Sequence, residues 1–92
     1  MSDHLTTINP ATGETLNTYP VMSDADMNAA IAKCHEAYLE WRMRSLEERA
    51  KVIKAIGAEL RKHVDDYADL MTKEVGKLYK DGKQEVELCA QI

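Results

Sequence analysis

The sequence predicts a mainly α-helical fold that begins with a short β-hairpin. Two stretches rich in β-branched residues flank a turn containing Pro and Gly within residues 5–20. From residue 24 onward, capping residues precede runs in which apolar side chains recur every three or four positions. Because 92 residues are enough for only one domain, we predict a single compact unit spanning residues 1–92.

The hairpin is predicted from Leu5–Ile8 and Thr15–Tyr19, which resemble paired strands. In the turn between them, Pro10 presets φ and Asn9 can accept a hydrogen bond from its own backbone. Gly13 supplies the left-handed residue that such loops need. A two-stranded hairpin is only marginally stable in water, so we expect it to lie on the helices.

The first helix is predicted over residues 24–43. Ser23 followed three residues later by Asp26 forms a capping box, which satisfies free backbone N–H groups. Its apolar residues are spaced by four, three, four and three positions and therefore share one face: Met27, Ile31, Cys34, Tyr38 and Trp41.

The second helix is predicted over residues 45–62. It opens with the same capping arrangement at Ser45 and Glu48. Gly57 lies on its apolar face, where a missing side chain allows a close helix contact. We expect a break near His63, because the two aspartates that follow it are a new N-terminal signal.

Two further helices are predicted, over residues 65–75 and 80–91. The first of them should end at Gly76 in the left-handed conformation, with Lys73 in its last turn to suit the helix dipole.

Composition excludes several classes of function. The net charge is −4 and no basic stripe is present, so we expect no nucleic-acid or membrane partner. No run of eighteen apolar residues occurs, and the opening "MSDHLTTINP" has no export-signal pattern, so a cytoplasmic location is expected. Cys34 and Cys89 lack CxxC spacing and are expected to be reduced and buried.

The order of these features is similar to a known family. The stretches "INPATGE", "AIAKCHEAYLEWR", "ERAKVIKAIGAEL", "ADLMTKEVGK" and "QEVELCAQI" follow one another as in the N-terminal segment of the NAD(P)-dependent aldehyde dehydrogenase superfamily. The chain most resembles the succinate-semialdehyde dehydrogenase branch. The resemblance implies part of an α/β fold, in which the hairpin and helices precede and pack around a dinucleotide-binding domain.

The resemblance also implies where the chemistry lies. The family oxidises an aldehyde through a cysteine nucleophile, with NAD or NADP as cofactor, and its catalytic motifs would fall beyond residue 92. No stretch of this chain matches the nucleophile, general-base or oxyanion motifs, and its four glycines never form GxGxxG. We therefore assign no catalytic, cofactor-binding or metal-binding residue and expect this chain alone to be inactive.

Two clusters could nevertheless carry chemistry. Cys34 beside His35 suggests a thiolate–imidazole pair, but sequence neighbours on a helix point about 100° apart, which favours a core cysteine and a surface histidine. His63 with Asp65 and Asp66 suggests a metal cluster, but their place at a helix junction favours capping.

A third site is implied by the resemblance alone. Some family members hold a monovalent cation with backbone carbonyls and an acidic side chain, at positions that fall here on Thr7, Ile8 and Glu85. Because that geometry needs the rest of the enzyme, we expect no bound cation and a solvated Glu85.

The apolar face that includes Met27, Ile31, Tyr38 and Trp41 could bind a partner or pack within the chain. We expect self-association, in the form of a dimer that exchanges helices, because a missing domain would otherwise cover such faces.

The functional alternative to an enzyme fragment is therefore a stand-alone helical module for self-association or protein interaction. A downstream reading frame that encodes the Gly-rich turn and the cysteine motif would favour the fragment.

Overall fold

The computed structural model describes residues 3–92, so Met1 and Ser2 of the predicted unit lie outside the described residues. Within this range a hairpin is followed by four helices. Their bounds are β1 His4–Ile8, β2 Thr15–Pro20, α1 Asp24–Trp41, α2 Leu46–Lys62, α3 Val64–Val75 and α4 Tyr79–Gln91. The mainly helical prediction is confirmed, and every predicted boundary is met within two residues.

The hairpin is antiparallel, with Leu5 opposite Tyr19. Its loop is closed by hydrogen bonds from Asn9 N to Glu14 O at 2.9 Å and from Gly13 N to Asn9 O at 2.8 Å. The Asn9 Oδ1 atom accepts from Ala11 N at 2.9 Å. Gly13 has a φ of 79°, which confirms the predicted left-handed position.

Side-chain caps begin the first two helices. Ser23 Oγ accepts a hydrogen bond from Asp26 N, and Ser45 Oγ accepts one from Glu48 N, each at 3.1 Å. Gly76 closes α3 with a φ of 73°, its N–H donating to Thr72 O. These predicted ends are confirmed, because each depends on residues only three or four positions apart.

Small residues bring α4 close to α2 and α3. A Cβ atom on Gly57 would lie 2.9 Å from the backbone oxygen of Ala90, which confirms the close contact expected at this glycine. A Cβ on Gly82 would lie 3.3 Å from the Cα and Cβ atoms of Ala68. Ala68 and Val86 are the buried apolar residues at this contact, so the core is small.

The described chain is a flat layer. Its principal extents are 48 × 37 × 14 Å, and 14 Å is little more than the diameter of one helix. The radius of gyration is 17.5 Å, whereas a compact chain of this length has about 12 Å. The prediction of a compact unit is therefore wrong. The reason is that α1 buries none of its residues and packs along no other described element.

Both cysteines differ from the prediction in their burial. Cys34 and Cys89 are free thiols, but each is exposed. They lie on apolar helix faces, as their spacing indicates, but no second layer covers those faces. In the described part of the chain, no helix is both long and apolar enough to cross a membrane.

Candidate functional site

An open groove of about 430 Å³ runs along the C-terminal half of α1. Arg44 lies over the Trp41 ring at 5.6 Å from its centre, and Arg42 lies over the Tyr38 ring at 5.7 Å. These guanidinium groups lie against the aromatic rings that belong to the predicted apolar face. The groove is lined by Cys34, Ala37, Tyr38, Glu40, Trp41 and Arg44.

A second groove of about 250 Å³ lies between α2, α3 and α4. Most of its walls are apolar, and Glu85 is its charged residue. The lining residues are Leu60, Tyr67, Leu70, Met71, Glu85, Val86 and Cys89. Both grooves resemble packing surfaces, since an apolar lining excludes water when it is covered.

Cys34 and His35 are neighbours on α1 but have different surroundings. Cys34 lines the α1 groove, while the centre of the His35 ring lies 6.1 Å from that of the Tyr38 ring. The alternative of a core cysteine is also wrong, because Cys34 is exposed. A thiol without an activating base is a poor nucleophile at neutral pH.

His63 lies at the junction of α2 and α3, where the break was predicted. Its Nε2 atom is 3.4 Å from Glu59 Oε2 and its Nδ1 atom is 3.6 Å from Asp66 Oδ2. Among residues 3–92, no three His, Cys, Asp or Glu side chains are grouped so that they could hold a metal ion.

Asp65 does not cap α3, contrary to the prediction, because its carboxylate reaches across to α4. The Asp65 Oδ1 atom accepts a hydrogen bond from the Tyr79 hydroxyl at 2.9 Å and lies 3.2 Å from Lys83 Nζ. The hydrogen bond from Tyr79, together with Lys83, lowers the pKa of Asp65. The same bond to Asp65 raises the pKa of Tyr79. This clasp, formed by Asp65, Tyr79 and Lys83, joins α3 to α4.

Two of the positions that the resemblance implies for a cation, Thr7 and Glu85, have other surroundings in this structure. Glu85 is exposed to solvent, as expected, and it forms an ion pair with Lys77 that the sequence did not predict. Its hydrogen bond raises the pKa of that lysine. On the hairpin, the Thr7 hydroxyl oxygen is buried and has no hydrogen-bond partner in the described residues.

Sequence reasoning missed the polar contacts that join separate helices. Arg61 Nε donates to Glu87 Oε1 at 2.9 Å and links α2 to α4. It also missed Gly82, although a glycine inside a helix is itself a signal of close packing. The arrangement as a whole presents two open, mostly apolar grooves.

Comparison with known proteins decides the family. The model of the aldehyde dehydrogenase family matches residues 1–92. The chain belongs to this family. The predicted resemblance is thereby confirmed.

Relatives in the family point to one branch. The chain is 40% identical over 86 residues to the NADP-dependent succinate-semialdehyde dehydrogenase of Deinococcus radiodurans, covering 94% of this chain and 18% of the relative. It is 41% identical over 88 residues to the enzyme of the same name from Mycobacterium avium, covering 95% and 19%. The chain thus spans about a fifth of the length of these curated relatives.

Solved structures share the fold. The chain superimposes on succinic semialdehyde dehydrogenase from Streptococcus pyogenes, in complex with NADP⁺, with a TM-score of 0.85 and 38% identity, covering 92% of this chain and 19% of that one. An NADP-dependent glyceraldehyde-3-phosphate dehydrogenase from Bacillus halodurans, complexed with NADP, gives a TM-score of 0.91 at 27% identity, covering 96% and 18%. The layer of hairpin and helices is therefore a partial segment of the aldehyde dehydrogenase fold.

Proposed function

We propose that this chain forms the N-terminal layer of an aldehyde dehydrogenase and packs against that enzyme's cofactor-binding domain. The observation that carries the proposal is the one-helix thickness of 14 Å in a chain whose whole length matches the family. Domains are built from at least two packed layers, so a single layer with apolar faces needs a second one. The relatives are about five times longer and could supply it.

In this proposal the assembled enzyme oxidises succinic semialdehyde with NADP. The support is that the relatives from Deinococcus radiodurans and Mycobacterium avium are NADP-dependent succinate-semialdehyde dehydrogenases. Acyl-forming chemistry of this kind needs a positioned nucleophile, oxyanion donors and a base, none of which is assigned here. The contribution of this chain is to cover and position the neighbouring domain.

Complementation tests the proposal. The Streptococcus pyogenes enzyme without its matching segment is mixed with this chain, and formation of reduced NADP from succinic semialdehyde is followed by absorbance. We expect little activity from the truncated enzyme and a gain when the chain is added.

Two variants control this experiment. Ile31→Glu places a charge on the apolar face of α1 and should remove the gain, whereas Glu36→Gln, on the opposite side of α1, should retain it. The proposal fails if the folded chain binds the truncated enzyme without raising activity, or if it does not bind at all.

A cytoplasmic location belongs to the same proposal. An NADP-dependent dehydrogenase needs the nicotinamide pool inside the cell, and the named relatives are such enzymes. Fractionation of the native cells, with detection of this chain in the membrane or exterior fraction, would contradict it.

The second candidate function is a stand-alone module for self-association. It is favoured by α1, which has no buried residue although it carries an apolar face. Unlike the enzyme segment, such a module would bind its partner without affecting NADP reduction in the complementation experiment.

A further inference from the structure

We draw no further inference here: the strongest candidate, the apolar groove between α2, α3 and α4 that Leu60, Leu70 and Val86 help to line, carries nothing, because the chain spans about a fifth of the length of its relatives and nothing in the structure shows what covers that groove.

Discussion

Two glycines allow the helix contacts of this molecule, because each lies where a side chain would meet backbone. At Gly57 the obstructing atom is the carbonyl oxygen of Ala90, 2.9 Å from the position of a Cβ. At Gly82 the obstructing residue is Ala68, at 3.3 Å. Backbone cannot rotate away as a flexible side chain can, so the tighter contact at Gly57 is the more sensitive one.

We expect Gly57→Ala to destabilise the chain. Alanine favours the helix by up to about 1 kcal/mol, but overpacking against backbone costs about 1–3 kcal/mol. The free energy of unfolding, measured by urea titration, should therefore fall. The control on the same helix is Lys54→Ala at an exposed position, which should change it by no more than about 0.5 kcal/mol. A Gly57→Ala variant more stable than the unmodified chain would show that α2 and α4 do not approach as described.

At the scale of elements, polar clasps hold neighbouring helices together. Tyr79 and Lys83 on α4 meet Asp65 at the start of α3, and Arg61 on α2 meets Glu87 on α4. All of these side chains are exposed to solvent, so each clasp is weakened by salt. These clasps fix how α4 lies along α2 and α3, because the helices share only a small apolar contact.

The Asp65–Tyr79 clasp predicts a pH dependence of stability. The pKa of Asp65 is lowered in the folded chain, so its contribution is present above pH 3.8 and is lost as the pH falls through the folded pKa. The pKa of Tyr79 is raised, so its contribution is present below pH 10.0 and is lost as the pH rises through the folded pKa.

Urea titrations at a series of pH values measure the free energy of unfolding, which should fall in acid (the acid limb) and in alkali (the alkaline limb). Asp65→Asn should flatten the acid limb, and Tyr79→Phe should flatten both limbs. Asp24→Asn on α1 serves as the control. Acid limbs of equal steepness in the unmodified chain and in Asp65→Asn would contradict the clasp.

For the whole molecule, the decisive property is that its helices form one layer. In a layer 14 Å thick, large apolar residues of the hairpin and of all four helices are exposed, and the small core is formed around Ala68 and Val86. Any surface that binds this layer in its folded state stabilises it, since such binding shifts the unfolding equilibrium. Because the helices form one layer, both grooves are open to solvent.

We expect the isolated chain to show no dehydrogenase activity. Mixed with NAD or NADP and succinic semialdehyde, it should form no reduced cofactor above a buffer blank, because no glycine turn at a helix N-terminus binds the phosphates and the net charge is −4. Calorimetry should show no binding of either dinucleotide. Turnover that disappears in Cys34→Ala or Cys89→Ala would contradict this and identify a reactive thiol.

Local structure was determined by the sequence alone. The hairpin turn at Gly13, the caps at Ser23 and Ser45 and the helix end at Gly76 each depend on residues within five positions of one another. The capping groups and backbone conformations that short stretches prefer are sufficient to specify them. The family could also be recognised from the order of these short stretches.

The tertiary structure decided which faces are covered and which distant side chains meet. Cys34 belongs to an apolar face as its spacing indicates, but it is exposed because no second layer lies over α1. Asp65 has the local signature of a capping residue, but it binds Tyr79, fourteen positions away, because α4 passes close to it. Helical periodicity specifies which residues share a face, whereas burial and ion pairing depend on what packs against that face.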